Sequence, residues 1–276
     1  EVMPRTAAKV PDFRAILPAG TRVYVAHIDG VPFADMLATT ARLAAEGFAV
    51  MPHFPARGIR NAAELESRIA GYAEVGVRQA LVLAGGIDRP AGDFTDSMQL
   101  LATGLFDRYG FTDLHVAGHP EGNREIDRGG GETRIFEALR WKSDFQAQTD
   151  ARMAITTQFC FEAAPVIAWT DRMRAAGITL PVHLGIAGPA KLQTMIKFAM
   201  NCGVGASVRV LQRRAADLTK LLMPFEPTDL LAELAAHKAA HPDFQVEKIH
   251  LFPLGGITTT TDYLGSLRPG RVRAQA

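Results

Sequence analysis

Cysteine is nearly missing from this chain: Cys160 and Cys202 are the two in 276 residues. That is too few for a disulfide scaffold and fits a reducing, cytoplasmic setting. Long apolar runs are missing as well. None approaches the roughly 18 residues a membrane helix needs, and no secretory signal opens the sequence, so no membrane partner is expected. Neither charge sign dominates. Thirty Lys and Arg face 29 Asp and Glu, a formal net charge of +1 with the signs interspersed, which offers no electrostatic footprint for nucleic acid. There is no Gly-x-Ser-x-Gly elbow and no Walker-type phosphate loop. Zinc and iron sites need three or four convergent ligands, and the spacing of the histidines supports no such set, so no metal centre is expected. No lysine falls at a strand exit, where a Schiff-base lyase would need one.

What the chain does contain is a repeated event. Short β-rich runs at 22–27, 48–53, 79–84, 113–118, 153–158, 180–185 and 248–252 alternate with helical periodicity at 33–46, 62–75, 97–108, 133–149, 164–176 and 190–201, with two more helices after Gly205. Strand and helix in strict alternation demand parallel pairing with right-handed crossovers. The opening Glu1-Val-Met-Pro-Arg-Thr reads as the exit of a further strand, giving eight units. The expected architecture is therefore a single (β/α)₈ barrel over residues 1–276 with a basic tail from about 268, within the usual size of about 250 residues for that fold. An open doubly wound sheet would announce a Gly-rich turn after its first strand, and Asp29-Gly-Val-Pro is no such turn. Leu221-Leu-Met-Pro-Phe225 and Leu230-Leu-Ala-Glu-Leu234 are apolar faces for the barrel or for a second subunit, which leaves homo-oligomerisation open.

In a barrel, residues at the carboxyl ends of the strands share one mouth, and chemistry is placed there. Those positions hold Glu1, His27, His53, Gly85, Gly86, Asp88, His119, Glu121 and Gln158. His53 follows Pro52, which fixes the backbone and aims the ring. His183 and His250 sit mid-strand among apolar neighbours and read as interior residues. Gly85 and Gly86 permit either a tight turn or close approach of a flat ligand. Three glycines at 129–131 precede a helix and leave open an anion site at its N-terminus. Cys160 has aromatic neighbours, a setting that raises a thiol's pKa rather than activating it. Such a mouth, rich in carboxylates and amides but poor in nucleophiles, suits chemistry carried by a cofactor.

Taken in order, several exits resemble one family, the methylenetetrahydrofolate reductases. Glu1-Val-Met-Pro-Arg-Thr is similar to the family's Glu-Phe-Phe-Pro-Pro-Arg-Thr, and Val50-Met-Pro-His53 resembles its Ala-Pro-His exit. Val116-Ala-Gly-His-Pro-Glu121 resembles Val-Ala-x-x-Pro-Glu, and Ile155-Thr-Thr-Gln-Phe-Cys-Phe-Glu162 resembles Ile-Thr-Gln-Phe-Phe-Phe-Asp. Val182-His-Leu-Gly-Ile186 stands where the family has Ile-Pro-Gly-Ile. The resemblance implies a (β/α)₈ barrel that binds FAD and moves a hydride between NAD(P)H, flavin and a tetrahydrofolate derivative, interconverting 5,10-methylene- and 5-methyltetrahydrofolate. It implies Glu1 as the general acid on the folate, a task that asks for a raised pKa. It implies Gln158 as the pterin partner, with Phe161 also against the substrate. Flavin would be lined by His53, Leu83, Ala84, Gly85, Gly86, His119 and Glu121, with Arg140 and Lys142 supplying charge opposite its pyrophosphate.

The chain departs from the family in places. Ala84-Gly85-Gly86 stands where the family has Arg-Gly-Asp, His119 replaces a tyrosine, and the spacing from Lys142 to Gln158 is longer. These changes leave two alternatives: a folate reductase that uses no flavin, and a folate-binding or methyl-transfer protein with no redox step.

Overall fold

The computed structural model describes residues 1–123, 125–201 and 224–267. It lays seven strands side by side in chain order: β1 (Arg22–Val25), β2 (Ala49–Pro55), β3 (Gln79–Leu83), β4 (Asp113–Gly118), β5 (Arg152–Cys160), β6 (Val182–Ala187) and β7 (Val246–Phe252). Every pairing is parallel, so each strand must be reached by a crossover. The helices are α1 (Pro4–Ala7), α2 (Phe33–Ala45), α3 (Ala62–Glu74), α4 (Ser97–Leu101), α5 (Leu105–Arg108), α6 (Thr133–Phe145), α7 (Ala163–Ala175), α8 (Leu192–Asn201), α9 (Thr228–Ala240) and α10 (Ile257–Ser266).

Helical spacing explains how they dock. α2 buries Met36, Thr40 and Leu43, and α3 buries Leu65, Ile69 and Tyr72, steps of four and three that place one apolar face on the sheet. The helix expected over 97–108 is broken in two, because Gly104 takes a left-handed φ of 67° that ends one turn and starts the next. The helix expected over 133–149 stops at Phe145. Gln146 leaves it to clamp the start of β5, donating to the Ala151 carbonyl at 2.9 Å and accepting from Met153 N–H at 2.7 Å. Two helices follow Gly205 among the described residues, α9 and α10; Cys202 and the basic tail lie outside the described residues. No helix among the described residues is long and apolar enough to cross a membrane.

The sheet is strongly curled. Arg22 and Tyr24 of β1 reach Asp113 and His115 of β4 at 3.1 and 2.7 Å, and the Tyr24 ring lies 4.2 Å from that of His250 on β7. The inner face is polar. Arg22 also donates to Gln79 at 3.0 Å and meets His115 Nε2 at 3.2 Å, while Arg152 joins it on Asp113. A guanidinium only donates, so His115 Nε2 must accept and its proton sits on Nδ1, facing Tyr24 and Thr156. Burial, with His183 and Arg22 nearby, holds His115 well below the usual histidine range and keeps it neutral.

Between β7 and β1 stand residues 1 and 2. Val2 N–H donates to the Tyr24 carbonyl and Ala26 N–H to the Val2 carbonyl, both at 2.8 Å, and the Glu1 nitrogen donates to the Leu251 carbonyl at 2.9 Å. Where an eighth strand is expected there is one isolated parallel bridge, Val2 to Val25, beside the seven-stranded sheet. Along this seam the edges of β1 and β7 part around a cleft of about 550 Å³, lined by Arg22, Tyr24, Lys248 and Ile249 and reaching Glu1 and His250. Ile249 is accordingly 39% exposed.

Candidate active site

The bridge at residues 1 and 2 delivers a carboxylate to the inner face. Val2 is 5% exposed in the outer core, so strand alternation sends the Glu1 side chain the other way. There Glu1 Oε2 accepts a hydrogen bond from His250 Nε2 at 3.2 Å. His53 Nε2 lies 3.4 Å from the same oxygen, a buried atom in ionic contact with Glu1 but outside hydrogen-bond geometry. Burial pushes the Glu1 carboxyl up, yet the bond to His250 and the nearness of His53 outweigh it and hold the group well below the usual carboxylate range. The raised value expected for a resting general acid is therefore corrected: Glu1 is ionised at rest. His250 is pushed down to about 4 by burial, against the pull of Glu1, so at neutral pH it is an uncharged donor.

Gln158 is aimed by a bulge. β5 pairs with β6 through Thr156 with His183 and then Phe159 with Gly185, leaving Thr157 and Gln158 opposite the single residue Leu184, one residue too many for the ladder. Gly185 N–H, deprived of its ladder partner, donates to Thr157 Oγ1 at 2.9 Å. Position 185 must be glycine, because a Cβ there would sit 2.4 Å from the Thr157 carbonyl oxygen. Gln158 Oε1 accepts from Phe159 N–H at 3.1 Å, while its amide nitrogen has no hydrogen-bond partner among the described residues. Phe161 joins Phe159 and Phe225 in an aromatic cluster, with ring centroids 5.7 and 5.3 Å away. Burial pushes the Cys160 thiol up, so it is inert.

The residues expected to line a flavin separate into two groups. Leu83, Ala84 and Gly85 fall at the exit of β3, while His53, expected to close its strand, pairs with Leu81 two residues before the end of β2. Leu83 packs on Tyr24, Met51 and Leu81 of the inner face. Gly85 is a turn glycine, with φ of 91° and a would-be Cβ 3.0 Å from Pro55 Cβ. Gly86 and Asp88 are exposed. His119 and Glu121 follow β4 and are partly buried, and burial beside Lys142 pushes His119 down to about 4. The charged residues expected opposite a pyrophosphate do not form a cradle. Arg140 is exposed. Lys142, two residues on, is 6% exposed and donates to the Ala117 carbonyl at 3.1 Å. Nor do the three glycines open an anion site: Asp127 folds back to accept from Arg134 and Ile135 N–H at 3.2 and 3.1 Å, capping α6. Lys142 and the amino end of α6 are thus turned to the protein's own carbonyl and carboxylate groups rather than outward to a flavin's phosphates.

Burial pushes the Lys142 ammonium, which has Asp96 as its opposing charge, down to about 8 from a usual 10.5. Between those two pH values the unfolded chain binds more protons than the fold, so stability rises with pH there and the whole penalty is present below pH 8. Lys142→Met should then stabilise the protein at pH 7, by about 1–3 kcal/mol in urea unfolding, and flatten the dependence between pH 8 and 10.5. A loss of stability at pH 7 would return Lys142 to a role its contacts do not reveal.

No protein-family model matches the chain. Its path is similar to that of a mannanase catalytic domain from Streptomyces sp. SirexAA-E, with TM-score 0.42 and 18% identity over 73% of this chain and 68% of that one. It is also similar to L-hydantoinase (dihydropyrimidinase) from Arthrobacter aurescens, with TM-score 0.38 and 12% identity over 93% and 59%. A glucosidase from Croceicoccus marinus gives 0.30 and 14% over 81% and 46%. These likenesses carry no argument about chemistry.

His250 is the neighbour of Glu1 that the strand pattern passed over. In Val246-Glu-Lys-Ile-His-Leu-Phe252 its apolar neighbours suggested interior packing. Its alternation with Phe252, whose ring packs 4.7 Å away, was the signal that it shares the inner face with the site.

Proposed function

We propose that this protein is a folate-dependent oxidoreductase that interconverts 5,10-methylene- and 5-methyltetrahydrofolate, with NAD(P)H as the hydride partner and without a resident flavin. The observation that carries the reading is the half-buried carboxylate of Glu1, held at the carboxyl end of the curled sheet by β1, β7 and two histidines. It stands where the resemblance asks for the acid–base residue. Residues 1 and 2 are, on this reading, the exit of an eighth strand that completes the barrel. In the ring-opening direction Glu1 takes up a proton and passes it to the folate amine; in the ring-closing direction it takes that proton back. Gln158 offers its amide nitrogen to the heterocycle edge, and Phe161 belongs to the apolar wall beside it. FAD was the expectation from the resemblance, but the direction of Lys142 and the capping of α6 by Asp127 favour hydride transfer directly between nicotinamide and folate.

The test is turnover of purified, desalted protein with methylenetetrahydrofolate and NAD(P)H, and in reverse, together with the visible spectrum after incubation with FAD and a second desalting. We expect turnover by a colourless protein. A retained flavin band that bleaches with either donor would replace the direct reading by the flavin one. No turnover with or without FAD would reject the folate reading.

A further inference from the structure

We propose that His250 is a positioning residue that holds Glu1 as a proton acceptor, which fits the protein to the ring-closing, oxidative direction. The inference rests on the folate reading above. The Glu1 carboxylate oxygen that meets His250 is also the one nearest His53, so both imidazoles converge on a single atom at 3.2 and 3.4 Å. A carboxylate only accepts, so the His250 proton on that side belongs to Nε2. The ring is fixed edge-on against Tyr24 at 4.2 Å and against Phe252 at 4.7 Å, and its side chain is 4% exposed, so the donor cannot swing away. The titratable or charged groups facing it are Glu1, the Glu1 nitrogen, His53 of β2, His115 of β4 and His183 of β6, with Tyr24 of β1 in ring contact. Of these, Glu1 alone is an acid ionised at neutral pH, and burial keeps His115, His183 and His250 uncharged there.

In ring closure the folate amine gives its proton to Glu1 while its lone pair forms the C–N bond to the methylene iminium carbon. The iminium π electrons move onto its nitrogen, so no electron leaves the pair of reactants. The earlier two-electron oxidation that makes the iminium delivers its hydride to NAD(P)⁺. An ionised Glu1 is ready for the first of these; ring opening must wait for it to be protonated.

His250→Phe removes the donor and keeps an aromatic ring, whereas His250→Gln keeps an N–H. For 5-methyltetrahydrofolate oxidation, the acidic limb of kcat/KM against pH should move up by about one to two pH units in His250→Phe and return towards wild type in His250→Gln. The carboxyl ¹³C resonance of Glu1, assigned by its loss in Glu1→Gln, should shift its titration upward in the same pattern without any substrate. A limb and a titration that stay in place in folded His250→Phe would overturn the proposal and leave His250 a packing residue. Absence of folate turnover at every pH would reject the parent reading, and the ¹³C titration alone would then decide whether His250 governs Glu1.

Discussion

Glu1→Gln should lower folate turnover by about 10²–10⁴-fold in both directions while leaving the KM for NAD(P)H unchanged. The amide is nearly isosteric with the carboxyl and its oxygen can still accept from His250 Nε2, so the 3.2 Å contact and the pairing of residues 1 and 2 with β7 and β1 survive. What disappears is the one oxygen at this place that can carry a proton away. Steady-state kinetics in each direction, with a melting curve to confirm that the seam is intact, make the check. A loss of tenfold or less in a protein of unchanged Tm would remove Glu1 from the chemistry.

The second large effect concerns stability. Asp113 Oδ1 and Oδ2 hold Arg22 and Arg152 at 3.1 to 3.2 Å, and Thr112 Oγ1 adds a bond at 3.0 Å. Asp113 is 7% exposed, Arg22 is 21% exposed and Arg152 is 81% exposed. Only the Arg22 pair is therefore sheltered enough to matter; the Arg152 pair is screened by water. Asp113→Asn leaves the Arg22 guanidinium on the inner face with Gln79 and His115 but no counter-charge. The expected cost is about 3 kcal/mol, at the low end of values for a broken buried pair because Arg22 borders the cleft, or roughly 5–10 °C in Tm. The double variant Asp113→Leu with Arg22→Met should recover much of that loss, since it removes both desolvated charges. If Asp113→Asn costs less than about 1 kcal/mol, water in the cleft is already neutralising Arg22.

Much of this arrangement could be read in the residues. β4 runs from Asp113 to Gly118 as expected, because apolar Leu114 and Val116 face the helices while Asp113 and His115 face inward. β5 runs past Gln158 to Cys160, since the bulge permits the ladder to resume at Phe159; a run of Thr-Thr-Gln gives no local sign of that resumption. Lys142 was legible and overlooked. It occupies the stripe Ile135, Leu139, Lys142, Phe145 that α6 buries, so helical spacing alone puts it inside. The cap on α6 was not legible, because Asp127 reaches Arg134 and Ile135 only after the glycines fold the loop back, a long-range choice that no local propensity encodes. The convergence of Glu1, His53 and His250 depends on residues 249 positions apart meeting, and sequence order says nothing of that without the fold.

That separation has a consequence for how the molecule assembles. Contacts between residues far apart along a chain pay a large loop-closure entropy and tend to form late. The bond from the Glu1 nitrogen to Leu251 spans 250 positions, so the carboxylate takes its place only after β1 to β7 have already associated. The same seam, with few ladder bonds and a solvent cleft beside it, is a natural place for local opening. Mild denaturant should then silence the protein before its helices melt, because the first thing to leave is the residue proposed to handle the proton.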